Sequence, residues 1–266
     1  MTGPSDEFDL RAAALSPAQA HADELDLRAS LSDLASLVTS TMDLAEVLAR
    51  VATFAAHAIP GADGAGVTLL RIGPDDNRVE ALAASAPFVE EIDNLQYHVL
   101  NEGPCISAAL ERRTVRSGSL GGEQLWPRFG PRVGRLGVHS VLSLPLLLTD
   151  QVVGAINVYA HAKDVFDDHA VELGELFAVP AAVAVHNAQV LAQALALTTQ
   201  LQAALSSRPV IDQAIGLLRG RSGGNADEAF AGLRAISQRE NTKVSQVAQR
   251  IVDEAVRRAR ARKPDS

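Results

Sequence analysis

The stretch from His139 to Ala160 reads HSVLSLPLLLTDQVVGAINVYA and contains two apolar segments on either side of Thr149-Asp150. Each segment is about ten residues long and rich in Val, Leu and Ile, which favour β-strands. A tight turn between two such segments predicts an antiparallel hairpin. We therefore expect an antiparallel sheet with its middle at Ala155 to Tyr159.

Two further β-rich segments precede this hairpin. AGVTLLRI begins at Ala65 and RVEALAAS begins at Arg78, and the turn residues GPDDN separate them. Upstream, apolar residues recur at helical spacing from Leu44, with Asp43 as N-cap and Glu46 as its capping-box partner. These patterns predict a helix that ends at the sequence IPGADG, followed by two paired strands.

The segment between the two hairpins, from Tyr97 to Val138, is long and rich in Gly and Pro, with one short helical piece after Gly103-Pro104. An insert of this kind over a sheet usually covers a pocket. Cys105 fits a buried small residue better than a redox sensor. The candidate ligand-binding residues, which could equally be core, are Tyr97, Cys105, Trp126, Arg128, Phe129, Ser143 and Asn157.

An apolar helical pattern runs from Asp167 to about Leu205, disturbed by Pro180. Its heptads place Val183, Val190, Leu197 and Ala204 at position d, and Asn187, Ala194 and Leu201 at position a. We expect this helix to pack on the sheet before about residue 187 and to form a parallel two-stranded coiled coil after it. The alternative is one amphipathic helix that packs only on its own sheet.

Pro209 should end that helix, so a new domain is expected to begin there with Ser206 or Ser207 as cap. Three short helices follow in the sequence. The first is VIDQAIGLLRG, the second begins at Asn225 with Glu228 as capping partner, and the third has Thr242 as cap. The residues expected to be buried are Ala214, Gly216, Ala229, Phe230, Leu233, Ile236, Val244, Val247, Ala248, Ile251 and Ala255.

Charge differs sharply between the two parts of the chain. Residues 1–205 contain 12 basic and 25 acidic residues, a net charge of −13, whereas residues 206–266 contain 12 and 7, a net charge of +5. The basic tail could lie along nucleic-acid phosphates, although a solvated helix end is the alternative. The acidic part would gain nothing from approaching a polyanion.

Several classes of protein are excluded by simple features. The longest uninterrupted apolar run, FAVPAAVAV, is about half of what a membrane span needs, and the acidic N-terminus is unlike a secretory signal. We therefore expect a cytoplasmic protein that does not cross a membrane. A single cysteine and the absence of HExxH, Walker and GxSxG motifs indicate neither catalytic residues nor a metal site or cofactor.

The C-terminal pattern R-x-V-I-D-Q-A-I-G-L-L, followed by E-A-F-x-x-L-R-x-x-S-Q-x-x-N-x-K-V-x-x-V-A, resembles the ANTAR domain over about residues 208–255. The resemblance implies a three-helix RNA-binding module of bacterial transcription antiterminators. Polar and basic side chains in this region suit recognition of loop bases and phosphates. The candidate RNA-binding residues are Gln213, Arg219, Arg234, Ser237, Gln238, Asn241, Lys243, Gln246 and Arg250. For Ser237 and Asn241, helix capping is the alternative.

Residues 34–187 resemble a GAF domain, an α/β sensor fold, in the form that precedes ANTAR domains in actinobacteria. The stretches NEGPC, LWPRFG, GVHSVLSLPL and VVGAINVYA carry this resemblance. The implied fold is α+β: a GAF-type antiparallel sheet flanked by helices, then a coiled-coil helix and a three-helix ANTAR bundle. We expect a flexible or loosely helical extension (1–30), a GAF sensor domain (31–187), a coiled-coil linker (188–205) and an ANTAR RNA-binding domain (206–262).

This organisation predicts a one-component signal-responsive regulator. The ANTAR domain would bind RNA stem-loops in mRNA leaders and promote transcription antitermination, controlled by a small molecule in the GAF domain of a homodimer. One alternative is a signalling or scaffold dimer that binds a small molecule without binding RNA. Another is an enzyme on the GAF fold, which the missing catalytic motifs oppose.

Overall fold

The predicted hairpins form one five-stranded antiparallel sheet in this computed structural model, which describes residues 15–37, 42–72, 77–149 and 151–261. The strands are β1 (Gly64–Ile72), β2 (Asn77–Ala84), β3 (Val115–Ser117), β4 (Ser140–Leu148) and β5 (Gln151–Ala160), in the order β2-β1-β5-β4-β3. β5 is central, with Asn157 opposite Ser143 in β4 and Gly66 in β1. The predicted sheet centre is confirmed. Residues 73–76 and Asp150, in the predicted turns, lie outside the described residues.

Helices cover both faces of this sheet. They are α1 (Pro17–Ala35), α2 (Leu44–Ala58), α3 (Pro87–Asn94), a π-helical turn (Leu95–Leu100), α4 (Pro104–Glu111), a 3-10 turn (Leu120–Gly122), α5 (Phe129–Arg135) and α6 (Asp168–Ser222). The predicted cap of α2 is confirmed, since the Asp43 side chain accepts a hydrogen bond from the backbone N–H of Glu46 at 2.8 Å. α3 and β3 were not predicted.

Strand alternation divides the core of this unit into two layers. On one face, Leu144 and Ile156 of the sheet pack with Val51 of α2 and Phe177 of α6. On the other face, the core contains Val89 and Ile92 of α3, Phe129 and Val133 of α5, and Val141 and Tyr159 of the sheet. The α+β class with a flanked antiparallel sheet is therefore confirmed.

Part of the segment expected to be a flexible or loosely helical extension is a helix. Residues 17–30, within the predicted 1–30 extension, lie in α1, where Ser16 caps the helix by accepting a hydrogen bond from the Gln19 N–H. Leu27 and Leu34, two turns apart, are buried against the same core as α2. Packing of these few apolar residues on the core stabilises α1.

The helix break predicted at Pro209 is wrong, because α6 continues through Pro180 and Pro209 to Ser222. An internal proline removes one backbone hydrogen bond, but the helix-forming residues on both sides can still propagate the helix. The first helix of the predicted bundle is therefore the end of α6 and needs no cap at Ser206 or Ser207. By length and composition alone, α6 could also span a membrane, a test that core helices of soluble proteins pass too.

The C-terminal unit, residues 193–266, contains the end of α6, α7 (Ala226–Glu240) and α8 (Val244–Ala261). Ala214, Leu233, Val247 and Ala248 form its core, and half-buried apolar residues from all three helices pack on them. The predicted capping box of α7 is present: Asn225 Oδ1 accepts from the Glu228 N–H at 2.8 Å and Glu228 accepts in return.

Three expectations for this unit were wrong. Phe230 is 38% exposed, and Gly216 lies on an exposed part of α6 with open space where a Cβ would be. Three helices of this length enclose only one narrow apolar layer, which leaves Phe230 partly and Gly216 largely open to solvent. The Thr242 hydroxyl is buried without a hydrogen-bond partner in the described part of the chain, so it does not cap α8.

Candidate functional site

A group of buried polar side chains lies on the sheet face that is covered by α3, the π-helical turn and α4. Such residues are uncommon in a core unless they are hydrogen-bonded or functional. We call this group the polar cluster; its fully buried members are Thr68, Asp93, Gln96, Cys105, Ser143, Asn157 and Tyr159, and Tyr97 is a half-buried member at its edge.

Asp93 connects α3 to the central strand β5. Its Oδ1 atom accepts hydrogen bonds from the Tyr159 hydroxyl at 3.1 Å and from Asn157 Nδ2 at 3.2 Å. The Ser143 hydroxyl in turn donates to Asn157 Oδ1 at 2.7 Å. Gly66 makes this approach possible, because a Cβ there would lie 2.3 Å from Asp93 Oδ2.

The motif NEGPC positions Cys105 next to Gln96 and Tyr97, the second group of contacts in the cluster. Gln96 Oε1 accepts a hydrogen bond from the Cys105 backbone N–H at 3.0 Å, and the Tyr97 hydroxyl contacts Cys105 Sγ at 2.5 Å. Gly103 has a φ of +155°, and a Cβ at this position would lie 2.2 Å from Gln96 Oε1. A glycine is therefore required between Glu102 and Pro104 for the π-helical turn to contact α4.

Burial controls the ionisation of the cluster. Loss of solvation raises the pKa of Asp93 to about 7, against the opposing effect of the hydrogen bonds from Tyr159 and Asn157. Burial likewise raises the pKa of the Cys105 thiol to about 12. Cys105 is fully buried and stays protonated, which fits a small core residue and not an exposed redox sensor.

Three polar atoms of the cluster have no hydrogen-bond partner among the described residues. They are Asp93 Oδ2, an acceptor when ionised, Gln96 Nε2, a donor, and Thr68 Oγ1, which can do both. Leaving such groups unpaired in a core is costly, so they usually bind water or a ligand. This unpaired hydrogen-bonding capacity makes the polar cluster the candidate site for a small polar molecule.

The seven residues predicted to bind a ligand separate into two groups. Tyr97, Cys105, Ser143 and Asn157 all belong to the polar cluster. Trp126, Arg128 and Phe129 instead hold the covering segment in place: Trp126 Nε1 donates to Ser107 at 3.0 Å, Arg128 pairs with Glu102 at 2.9 Å, and Phe129 is fully buried in the core.

Sequence reasoning missed Thr68, Asp93, Gln96 and Tyr159. Asp93 could have been found from its spacing. Val89, Ile92 and Asp93 lie at positions i, i+3 and i+4 of α3, on one face of the helix, and an acid is unexpected on an apolar face. Within the described residues, no group of three or more His, Cys, Asp or Glu side chains could hold a metal ion.

The second candidate site is the surface of α7, α8 and the end of α6. Eight of the nine predicted RNA-binding residues are exposed there, and Ser237 is half-buried. Arg234 and Lys243 form no ion pair within the described residues, so their charges are available to a phosphate. The exposed residues are Gln213, Arg219, Arg234, Gln238, Asn241, Lys243, Gln246 and Arg250.

Three members of this set also have internal contacts. The Ser237 hydroxyl donates to the Thr242 carbonyl, and Asn241 is the left-handed C-cap of α7 with φ +49°. Arg250 pairs with Glu240. The capping alternative therefore describes real contacts of Ser237 and Asn241, and an RNA contact by either would be made in addition.

Comparison with known proteins gives two family matches. The GAF domain model matches residues 41–186, more than half of the chain, and the ANTAR domain model matches residues 199–252. A comparison with curated proteins finds no match.

Solved structures with a similar arrangement include the GAF domain of an Acinetobacter phosphoenolpyruvate-protein phosphotransferase (16% identity, TM-score 0.48), covering 65% of this chain and 98% of that one. A free methionine-R-sulfoxide reductase from Neisseria meningitidis (16% identity, TM-score 0.47) covers 67% and 96%. From the two family matches, the chain belongs to the GAF domain family and carries an ANTAR domain at its C-terminal end.

Proposed function

We propose that this protein is a one-component regulator that binds RNA hairpins through its ANTAR domain and promotes transcription antitermination under control of its GAF domain. The observation that carries the proposal is the exposed basic and amide surface of α7 and α8. Arg234 and Lys243 are exposed there without ion-pair partners among the described residues. Residues 206–266 have a net charge of +5, which favours a polyanion.

RNA suits this surface better than double-stranded DNA. Gln213, Gln238 and Gln246 carry amides that can both donate to and accept from base edges, which unpaired loop bases expose. Antitermination follows if the bound hairpin excludes a terminator hairpin. The RNA partners would be stem-loops in mRNA leaders, and the protein would act in the cytoplasm, without catalysis and without a metal or cofactor.

We propose a homodimer held by an apolar stripe along α6. Val183, Val190 and Leu197 repeat every seven residues and are 46%, 49% and 56% exposed, and Leu201 is 56% exposed. A sustained heptad stripe of this kind is covered by the same stripe of a second copy in a parallel coiled coil. The proposed divisions are a GAF domain at 31–187, a coiled-coil linker at 188–205 and an ANTAR domain at 206–262.

The sensory input would enter at the polar cluster. β5 carries Asn157 and Tyr159 toward this cluster, whereas Ile156 and Val158 of the same strand lie in the core that includes α6. A ligand that moves β5 therefore changes the packing surface of α6. If the dimer has two arrangements that differ in helix register or splay, a change of a few kcal/mol in their relative free energy is enough to shift the population from one to the other.

The second candidate function is a signalling or scaffold dimer that senses a small molecule without binding RNA. The internal contacts of the Ser237 hydroxyl and the Arg250 guanidinium favour it, because they engage two groups of the predicted RNA surface. A reporter that carries a leader terminator tests antitermination. Our proposal predicts more read-through with the protein than without it, and equal read-through contradicts it.

A further inference from the structure

We propose that Phe230 is a base-stacking residue of the RNA surface: one unpaired loop base packs on its ring while Arg234, one turn further along α7, contacts the adjoining phosphate. This inference rests on the proposed RNA-binding function. It adds an aromatic contact by Phe230, a residue whose helical spacing predicted burial in the core.

Phe230 is more exposed to solvent than the residues of the core beneath it. The residues at the centre of the three-helix core, Ala214, Leu233 and Val247, are at most 1% exposed, whereas Phe230 is 38% exposed. Part of its ring is therefore open to solvent, whereas Ala229 and Leu233 of the same helix are buried.

Phe230 shares one face of α7 with residues predicted to bind RNA. Phe230, Arg234 and Gln238 are each separated by four residues, which places them on one face of the helix. All three are exposed. Ring, guanidinium and amide thus follow one another in a line, and these are the groups that stack on, neutralise and read single-stranded RNA.

A base is a better occupant than an apolar protein surface. Along its exposed face, Phe230 is followed by polar or charged side chains and by no other exposed large apolar residue of α7. A protein-docking patch needs contiguous apolar area, whereas a stacking site needs one ring beside a cation. The net charge of +5 for residues 206–266 also favours a phosphate-bearing partner.

The test uses the full-length chain and a hairpin RNA with an unpaired loop. Phe230→Leu should weaken binding by about 5- to 100-fold, as expected for one lost stack. The slope of log affinity against log salt should not change, because no charge is removed. Phe230→Trp keeps a ring and should restore the affinity. Equal affinity of wild type and Phe230→Leu would overturn the proposal.

Abasic substitutions in the loop give a second readout. In the wild type, one loop position should lose affinity when its base is removed, and the same substitution should have no further effect on Phe230→Leu. Additive losses at every position would show that the ring contacts no base. Helicity and sedimentation of Phe230→Leu should match the wild type; a change in mass would assign the ring to a protein contact and overturn the proposal.

The failures of the two proposals are distinguishable. If Phe230→Leu binds like the wild type while Arg234→Ala binds more weakly, RNA binding stands and the stacking proposal is wrong. If the wild-type protein binds no hairpin at low salt, the proposed function itself is wrong and the stacking proposal falls with it.

Discussion

The Asp93 carboxylate oxygen Oδ1 and the Tyr159 hydroxyl are 3.1 Å apart, and both side chains are completely buried between α3 and β5. Burial without a cation raises the pKa of Asp93 to about 7. The carboxyl group is therefore protonated in the folded protein at mildly acidic pH, where it would be ionised in the unfolded chain.

This shift predicts how the stability of the GAF domain depends on pH. Below the unfolded pKa of about 4, Asp93 is protonated in both states and its contribution to stability is fully present. As pH rises from about 4 to about 7, the unfolded chain releases the proton first, so stability is lost by up to roughly 1.4 kcal/mol per pH unit. Thermal unfolding followed by fluorescence of Trp126, the single tryptophan, measures this.

Asp93→Asn is the matched control for that experiment. The amide keeps the shape of the carboxyl group and cannot ionise, so the variant should lose less stability than the wild type between pH 4 and pH 7. Equal pH dependence of the two proteins would show that Asp93 has an ordinary pKa.

Cys105 should be unreactive in the folded protein. Burial raises its thiol pKa to about 12 and excludes reagents, so native protein should show no fast reaction with a thiol-specific reagent at pH 8. The unfolded protein should titrate one thiol per chain. Rapid labelling of the native protein would mean that α4 opens or that the thiol is accessible.

The α6 stripe can be tested with a control of equal exposure. Leu197→Asp with Leu201→Asp should give monomers, because both residues are 56% exposed at heptad positions. Leu195 is 58% exposed but lies off these positions, so Leu195→Asp should leave the dimer intact. Sedimentation measures the mass of each variant. A dimeric double variant would place the dimer contact elsewhere.

In monomers, an RNA with two loops should bind no better than an RNA with one loop. The wild-type dimer should favour the two-loop RNA by about 100-fold, because the second contact is made within a tether. An equal preference in the monomeric variant and the wild type would contradict coupling through α6.

Arg234→Ala should weaken hairpin binding by about tenfold and reduce the salt slope by about one. Arg239 is also exposed and without an ion pair in the described residues, but it lies five positions along, on a different face of α7. Arg239→Ala should therefore have a smaller effect. If the two variants lose the same affinity, only overall charge matters and Arg234 is not part of a defined site.

The periodicity of apolar residues and the helix-capping residues were sufficient to predict those helices and strands that depend on contacts between residues close in sequence. The β4–β5 hairpin and the Asp43 and Asn225 caps form as expected, because each depends on residues close in sequence. The helix through Pro209 was missed, because the loss of one hydrogen bond was taken as a stop signal.

The polar cluster could be predicted only in part. Ser143 and Asn157 were visible as polar residues in apolar strands, but Asp93, which bonds Asn157, comes from α3, 64 residues away in sequence. Such contacts depend on tertiary packing and not on any local period. Phe230 failed for the opposite reason: its helical spacing suits a core position, but the small core is already filled by Leu233 and Ala214.

The proposed function depends on RNA binding, which filter binding of a hairpin RNA across a salt series measures. We predict that the full-length protein binds, and that log affinity falls linearly with log salt with a slope of about −2 or steeper, since exposed arginines and lysines release counterions. The same RNA with its loop bases paired should bind more weakly. Absence of binding at low salt, or affinity that is independent of salt, would contradict the account.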